Sequence, residues 1–271
     1  MKRNIWNIVK YFLMYWVFYL TPVILATIAL KLYARKTGSD LDIREGDTEY
    51  WFVLIGAVLG VFFFLKWKYA EWTLGKIRKE SLWRVIGISV LMAFGWFFVD
   101  FFLQATLDFF LQATLDLEGG HAEEKVDEGL NLAQILLASL AGPVLEEVVF
   151  RGAILRGLLK IFNAPWLPIV ISAVLFGAVH LNEAQVFSAT LWGLAIGWVY
   201  YRTKSLLPCV AMHVVNNSTA TLLELLLLDS ALDVLDAASD TSFYIGEAVL
   251  VIIGIAVVAF GIRWFHINYK N

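Results

Sequence analysis

Long apolar segments constrain this chain more than any other feature. Residues Tyr11 to Leu30 carry no charged side chain, and about 20 mostly apolar residues suffice for a helix to cross a bilayer. Further segments approach this pattern, which gives spans at roughly 11–30, 50–65, 85–107, 130–150, 166–182, 185–201, 206–228 and 243–262. Because lipid offers no hydrogen-bond partners, such segments must be helical. The sequence therefore predicts an all-α, polytopic membrane bundle of about eight transmembrane helices.

The composition agrees with a membrane protein and excludes some other classes. Of the 271 residues, 60% are hydrophobic and 17% are charged, whereas soluble domains carry about 25% charged residues. The net charge of −3 is too small to indicate a nucleic-acid partner. Cys209 is the single cysteine, so no intrachain disulfide can form. The composition therefore indicates the lipid bilayer as a partner and no nucleic acid.

Lysine and arginine predict the orientation of the bundle. With a cytoplasmic N-terminus and eight spans, all but five of the 21 basic residues fall in cytoplasmic segments, as the positive-inside rule requires. The five exceptions are Lys31, Arg35, Lys36, Arg44 and Lys125. The predicted outer loops are acidic, at residues 40–49, 116–128 and 229–240. We expect both termini in the cytoplasm and the protein in the plasma membrane.

Two adjacent glutamates lie in the fourth apolar segment, where ionisable residues are costly and usually functional. Glu147 and Arg151 are four residues apart, so they can pair on one face of a helix. Glu146 points about 100° away and has no cation at helical spacing. Glu146 is therefore the candidate for chemistry and Glu147 the candidate for positioning. The alternative is that this cluster only marks the inner membrane boundary.

His180 lies in the next apolar segment, at the end of a possible hairpin. The strong breaker between the two segments is Asn163-Ala164-Pro165, and residue 163 is 17 positions from both Glu146 and His180. An antiparallel hairpin that turns there brings Glu146 and His180 to the same depth, where they could share a water molecule or a metal ion. The alternative is a histidine that is simply satisfied in the core.

A third polar group combines His213 with Asn217, four residues later on the same helix face, and with Asn216 on the adjoining flank. These side chains can donate hydrogen bonds to a developing oxyanion. They could equally form structural hydrogen bonds between helices. The pattern does not choose between Asn216 and Asn217.

Together, these motifs resemble those of the CAAX prenyl protease and bacteriocin-processing family of intramembrane endopeptidases. The resemblance covers residues 130–220 and consists of EExxxR, FxxxH and HxxxN patterns. It implies that Glu146 and His180 activate the attacking water, that His213 and Asn217 stabilise the oxyanion, and that Glu147 and Arg151 hold the site together. Zinc is a possible cofactor, and its ligands would be Glu146, His180 and His213, since catalytic zinc usually takes three protein ligands.

The resemblance also implies a domain organisation and a substrate class. Residues 1–128 would be accessory helices, 129–228 the catalytic core, and 229–271 an acidic outer loop with a last helix. The substrate would be a peptide or protein at the membrane, either lipidated (CAAX-type) or a bacteriocin or signalling peptide. We expect the site to open to the cytoplasm. The alternatives are a non-proteolytic scaffold or bacteriocin-immunity protein on the same fold, and a proton-coupled transporter.

An exact duplication lies between the third and fourth segments. Residues 101–108 (FFLQATLD) recur as residues 109–116. Eight residues advance a helix by about 80° beyond two full turns, so the two copies face in different directions. We therefore assign the duplication to helix lengthening and not to chemistry.

Overall fold

A computed structural model describes residues 2–37, 48–115, 130–180, 182–227 and 241–270. Within these ranges the long helices are α1 Lys2–Thr37, α2 Thr48–Lys66, α3 Leu82–Leu115, α4 Leu132–Leu158, α5 Trp166–Gly177, α6 Glu183–Thr203, α7 Leu206–Leu227 and α8 Thr241–Asn268. The described part of the chain has no β-strand. The prediction of an all-α polytopic membrane bundle is confirmed.

Among the described residues, fewer helices have the length and composition of a membrane span than the sequence pattern predicts. Six of the described helices are long and apolar enough to cross a membrane, namely all of them except α5 and α6. Helix α5 has 12 residues and is about 18 Å long, short of the roughly 30 Å of hydrocarbon. Helix α6 has the length, but it carries polar residues such as Gln185, Ser188 and Thr190. The predicted count of eight, and the cytoplasmic position of the termini, are therefore not confirmed.

Some sequence predictions fall outside the described residues. They include most of the acidic loops, the last residue of the FFLQATLD duplication at Asp116, and the predicted domain limits at 128–129 and 228–229.

Helix α4 lies at the centre of the bundle, where it contacts α1, α2, α5 and α7. Its segment Glu147–Leu155 is buried at every residue. Around it, α3 packs between α7 and α8, and α5 packs against α6. The motif-bearing helices are thus the inner ones, and α1, α2 and α8 cover them.

The pair Gly56 and Gly60 brings α2 close to its neighbours. A Cβ atom on Gly56 would overlap the carbonyl oxygen of Phe18 in α1, and one on Gly60 would lie 2.9 Å from Leu145 of α4. Small residues at this spacing allow helices to approach closely. The spacing of Gly56 and Gly60 thus lets α2 lie close to both α1 and α4.

Candidate active site

Helix α4 departs from α-helical geometry on both sides of Glu146. Residues Leu137–Ala141 and Glu147–Leu155 form wide π-helical turns, in which each N–H group bonds to the carbonyl five residues earlier. Such turns are rare and frequently occur at functional sites. Glu146, Glu147 and Arg151 therefore lie where the central helix changes from α-helical to π-helical geometry.

Pro143 links this rewinding to helix α7. Proline has no N–H group, so in the π-helical register the carbonyl of Ala138 has no backbone donor. The Asn217 amide fills this role, with 3.1 Å between its Nδ2 and the Ala138 oxygen. Ser218 adds a second bond across the same interface, with 3.4 Å from its Oγ to the Ser139 oxygen. The π-helical geometry of α4, through these two hydrogen bonds, thus helps to set the rotation and depth of α7 in the bundle.

Glu147 and Arg151 form a buried ion pair in the centre of the bundle. Their side chains are 0% and 1% exposed, and Arg151 Nη1 lies 2.8 Å from Glu147 Oε1. The guanidinium also donates to the Gly193 carbonyl at 3.4 Å and lies over the Phe176 ring at 4.4 Å, a cation–π contact. The pairing of Glu147 with Arg151 that the sequence predicted is present.

The same glutamate oxygen holds His213. Glu147 Oε1 lies 2.8 Å from His213 Nδ1, so the carboxylate accepts a hydrogen bond from Nδ1–H. The other ring nitrogen, Nε2, lies 3.6 Å from Glu146 Oε2. A carboxylate that fixes a histidine in this way sets its tautomer and orientation. Arg151, Glu147, His213 and Glu146 thus form one chain of polar contacts.

His180 lies beside these linked polar side chains and, among the described residues, forms no hydrogen bond with them. Its Nδ1 lies 3.1 Å from the backbone oxygen of Phe176, which can only accept, so Nδ1 carries the proton and Nε2 keeps its lone pair in the neutral ring. The Phe176 ring meets both imidazoles edge-on, at 5.3 Å from His180 and 5.5 Å from His213. Among the described side chains, Glu146 forms its ion pair with His213 and none with His180.

Glu146 is the carboxylate with access to solvent. Its side chain is 15% exposed, and Tyr15 of α1 donates a hydrogen bond to Oε1 at 3.4 Å. It borders a cavity of about 350 Å³, which we call the wide cavity. The wide cavity is lined by Tyr19, Tyr50, Leu130, Gln134, Leu137, Ala138, Gly142, Pro143, Glu146, Asn217 and Glu224. A water molecule and a peptide segment could both reach Glu146 through it.

The two histidines border a second, smaller cavity of about 80 Å³, which we call the narrow cavity. Asn217 lines both cavities, whereas Asn216 lines only the narrow one. Asn216 donates to Asn217 Oδ1 at 3.4 Å, which orients the Asn217 amide. Asn217 is therefore the asparagine that borders the cavity of Glu146 as well as the cavity of the two histidines.

Two comparisons with known proteins give similar sequences. Residues 128–219 match a family model described as Type II CAAX prenyl endopeptidase Rce1-like. Over 224 residues, which are 78% of the chain and 89% of the relative, the chain is 27% identical to a Bacillus subtilis (strain 168) protein named "Putative membrane peptidase YdiL". No solved structure matches significantly.

These two matches support the CAAX prenyl protease and bacteriocin-processing family. They support a membrane protease, and the apolar helices make it an integral membrane protein. The Rce1-like region contains all six motif residues, which are Glu146, Glu147, Arg151, His180, His213 and Asn217.

Two residues at the site lie outside the Rce1-like region, and the sequence reasoning left both out. Tyr15 bonds Glu146 from α1. Asp100 of α3 lines the narrow cavity with His180, and its buried Oδ1 has no hydrogen-bond partner within the described ranges. Asp100 is an isolated carboxylate in an apolar segment, and this pattern alone indicates a candidate functional residue. No sequence signal distinguished Tyr15 from other tyrosines.

The predicted zinc ligands do not form a three-ligand group in this arrangement. Glu146 lines the wide cavity and His180 the narrow one. Among the described residues, no three histidine, cysteine, aspartate or glutamate side chains are placed to hold one metal ion. The residues as arranged therefore do not fit a site with three protein ligands, and the chemistry below uses the chain's own side chains.

Proposed function

We propose that this protein is an intramembrane endopeptidase that hydrolyses a peptide bond with water activated by glutamate and histidine. The observation that carries this proposal is the polar chain in the bundle core. Glu147 uses one oxygen to hold both Arg151 and His213 at 2.8 Å, and His213 in turn faces Glu146. A buried polar network is costly when it is incomplete, and here Glu147 Oε2 and Arg151 Nε have no hydrogen-bond partner among the described residues. This cost favours a role in chemistry over a role in packing.

Glu146 and His180 are the proposed groups that activate water. Glu146 is a partly exposed carboxylate that borders the wide cavity, and His180 keeps its Nε2 lone pair because Nδ1 bonds the Phe176 carbonyl. Either group can accept a proton from water as the oxygen attacks the scissile carbonyl carbon. General base catalysis of this kind contributes about 10²–10⁴-fold to a rate.

His213 and Asn217 are the proposed groups that receive the oxyanion. The Asn217 amide has two N–H bonds, and one is used by the Ala138 carbonyl, so the second can donate to the carbonyl oxygen as it gains charge. His213 can donate from Nε2 when that nitrogen is protonated. As the C–N bond breaks, the proton taken from water passes to the leaving nitrogen, which gives a free amine and a carboxylate.

The substrate would be a peptide or protein that meets the protein at the membrane. Similarity to the Rce1-like family favours a lipidated CAAX-type segment, and a bacteriocin or signalling peptide fits the same chemistry. We place the protein in the plasma membrane with both termini in the cytoplasm, because that orientation puts most lysines and arginines inside.

The test is hydrolysis by the purified protein in detergent. A farnesylated CAAX peptide and an unprenylated precursor peptide would be incubated with wild type, Glu146→Gln and Glu183→Gln, and products would be identified by mass spectrometry. Glu183 is an exposed glutamate at the start of α6 and is a matched control. We expect cleavage by wild type and Glu183→Gln and none by Glu146→Gln. Equal cleavage by Glu146→Gln, or no cleavage of either peptide by wild type, would count against the proposal.

A further inference from the structure

We propose that Asp100 takes part in the reaction through His180, by way of water that is held in the narrow cavity. Asp100 is then a positioning residue, which touches no substrate and stabilises His180 once that ring has taken a proton. This inference rests on the proposed function, to which it adds a residue of helix α3 that lies outside the Rce1-like region.

Asp100 is a carboxylate within a helix that is long and apolar enough to cross the membrane. Ionisable side chains in such helices are costly and by default indicate a functional position. Ser188 and Gln104 can donate hydrogen bonds to the carboxyl group, but Oδ1 is buried without a partner among the described residues. An apolar or amide side chain would fill the same space at a lower cost, so the negative charge itself needs an explanation.

The position of Asp100 is fixed by the contacts of α3 with two other helices. Trp96, about one helical turn earlier, stacks on Trp192 of α6, with 5.1 Å between the ring centroids and 8° between the ring planes. Gly95 approaches α8 so closely that a Cβ on Gly254 would lie 2.4 Å from the Gly95 oxygen. Helix α3 is thus held against both α6 and α8, and Trp96 and Asp100 both line the narrow cavity.

The residues that line the narrow cavity carry several buried polar atoms without a partner. Besides Asp100 Oδ1, the Asn216 Oδ1 and Trp192 Nε1 atoms have no hydrogen bond among the described residues. His180 adds the lone pair of Nε2, because its Nδ1 bonds the Phe176 oxygen. A buried water molecule needs about two to four polar partners and about 30 Å³. Three acceptors and one donor around about 80 Å³ therefore suit ordered water.

The carboxylate leaves His180 available until the proton arrives. In the neutral ring Nε2 is an acceptor, and an ionised carboxylate also only accepts, so these two groups cannot bond to each other directly. The Nε2 lone pair is therefore free for the attacking water of the proposed reaction. His180 nevertheless lies within electrostatic range of the Asp100 carboxyl, so the carboxylate responds to a positive charge on the ring.

Proton transfer to His180 changes this relation. An O–H bond of the attacking water breaks, the proton binds Nε2, and the ring becomes a cation. The new Nε2–H group can donate to a water molecule in the narrow cavity, and that water can donate to Asp100 Oδ1. The negative charge then stabilises the cation, and the low dielectric of the bundle interior strengthens this effect. The proton later passes from Nε2 to the leaving nitrogen, so Asp100 ends the reaction unchanged.

Asp100→Asn tests this role, and Glu183→Gln is the matched exchange of an exposed carboxylate for an amide. The kcat and KM for peptide hydrolysis and the thermal midpoint would be measured for purified variants. Hydrogen bonds to charged groups contribute about tenfold to a hundredfold, so we expect Asp100→Asn to lower kcat by that factor at an unchanged KM. Its midpoint should equal or exceed that of wild type, because a neutral amide replaces a buried charge. Glu183→Gln should match wild type in all three quantities.

Double variants decide whether Asp100 acts through His180. With long incubations, Asp100→Asn should lower kcat no further in a His180→Ala background. In a Tyr15→Phe background, which changes a contact of Glu146, it should lower kcat by its full factor. Asp100→Ser replaces Asp100→Asn if that variant does not fold.

The outcomes separate this inference from the proposed function. If wild type cleaves no peptide, the proposed function fails and the role of Asp100 fails with it. If wild type cleaves and Asp100→Asn has the same kcat, only the role of Asp100 is overturned. An equal further loss of kcat in the His180→Ala and Tyr15→Phe backgrounds would also overturn it, because Asp100 would then act independently of His180.

Discussion

Glu147→Gln tests whether Glu147 positions the other site residues while Glu146 acts in the reaction itself. Glu147 is fully buried, and its Oε1 accepts hydrogen bonds from both Arg151 and His213. Glutamine keeps the shape and one carbonyl oxygen but removes the negative charge. Arg151, which is 1% exposed, would then be a buried cation without a counter-charge.

The expected cost is large. Removing one partner of a buried ion pair destabilises a protein by about 3–5 kcal/mol, and each 1.4 kcal/mol is about a tenfold change in the folding equilibrium. The Gly193 carbonyl and the Phe176 ring still contact the guanidinium, so we expect the lower end of this range. The loss would appear as lower expression and a lower thermal midpoint, together with lower activity because His213 loses its orienting acceptor.

The single buried cysteine supplies the assay. Cys209 is 0% exposed, so a dye that fluoresces on reaction with thiols reports unfolding as the purified protein is heated. Glu146→Gln is the matched control, since Glu146 is partly exposed and its loss leaves the pair of Glu147 and Arg151 intact. We expect Glu146→Gln to keep the wild-type midpoint and lose hydrolysis, and Glu147→Gln to lower both.

A double variant checks the cause. If the cost comes from the unpaired cation, Glu147→Gln combined with Arg151→Met should be less destabilised than Glu147→Gln alone. Equal midpoints for Glu146→Gln, Glu147→Gln and wild type, with equal losses of hydrolysis, would refute the division of roles between the two glutamates.

Further predictions concern His180, a metal and pH. His180→Ala should lower hydrolysis by about 10²–10⁴-fold at an unchanged midpoint, whereas His266→Ala, which removes a ring stacked on Trp198 outside the site, should have no effect on rate. Treatment with a chelator should leave hydrolysis unchanged, since the candidate ligands do not form a three-ligand group; loss of activity that zinc restores would contradict this. Burial, with repulsion from Lys76, lowers the pKa of Lys204 to about 8 from an ordinary 10.5. The unfolded chain therefore binds more protons between these values, so the thermal midpoint should rise with pH from 8 to 10.5, and Lys204→Met should remove this rise.

Much of the fold could be predicted because apolar length and helical spacing are local properties. Each predicted apolar segment contains a helix, although the segment 166–182 is helical only as far as Gly177, which leaves His180 beyond the helix end. The pairing of Glu147 with Arg151 needs only a four-residue spacing. The close approach at Gly56 and Gly60 likewise follows from side-chain size. The predicted count of eight spans is not confirmed, because the 12 residues of α5 are too few to cross the hydrocarbon layer.

The sequence by itself determined which helices carry the polar residues and which face of each helix presents them. Only the tertiary structure decided that His213 and not His180 meets Glu146, and that Glu147 holds His213 as well as Arg151. These features depend on the relative depth and rotation of helices. Pro143 and the bond from Asn217 to Ala138 help to set those quantities, and this bond joins segments far apart in the chain.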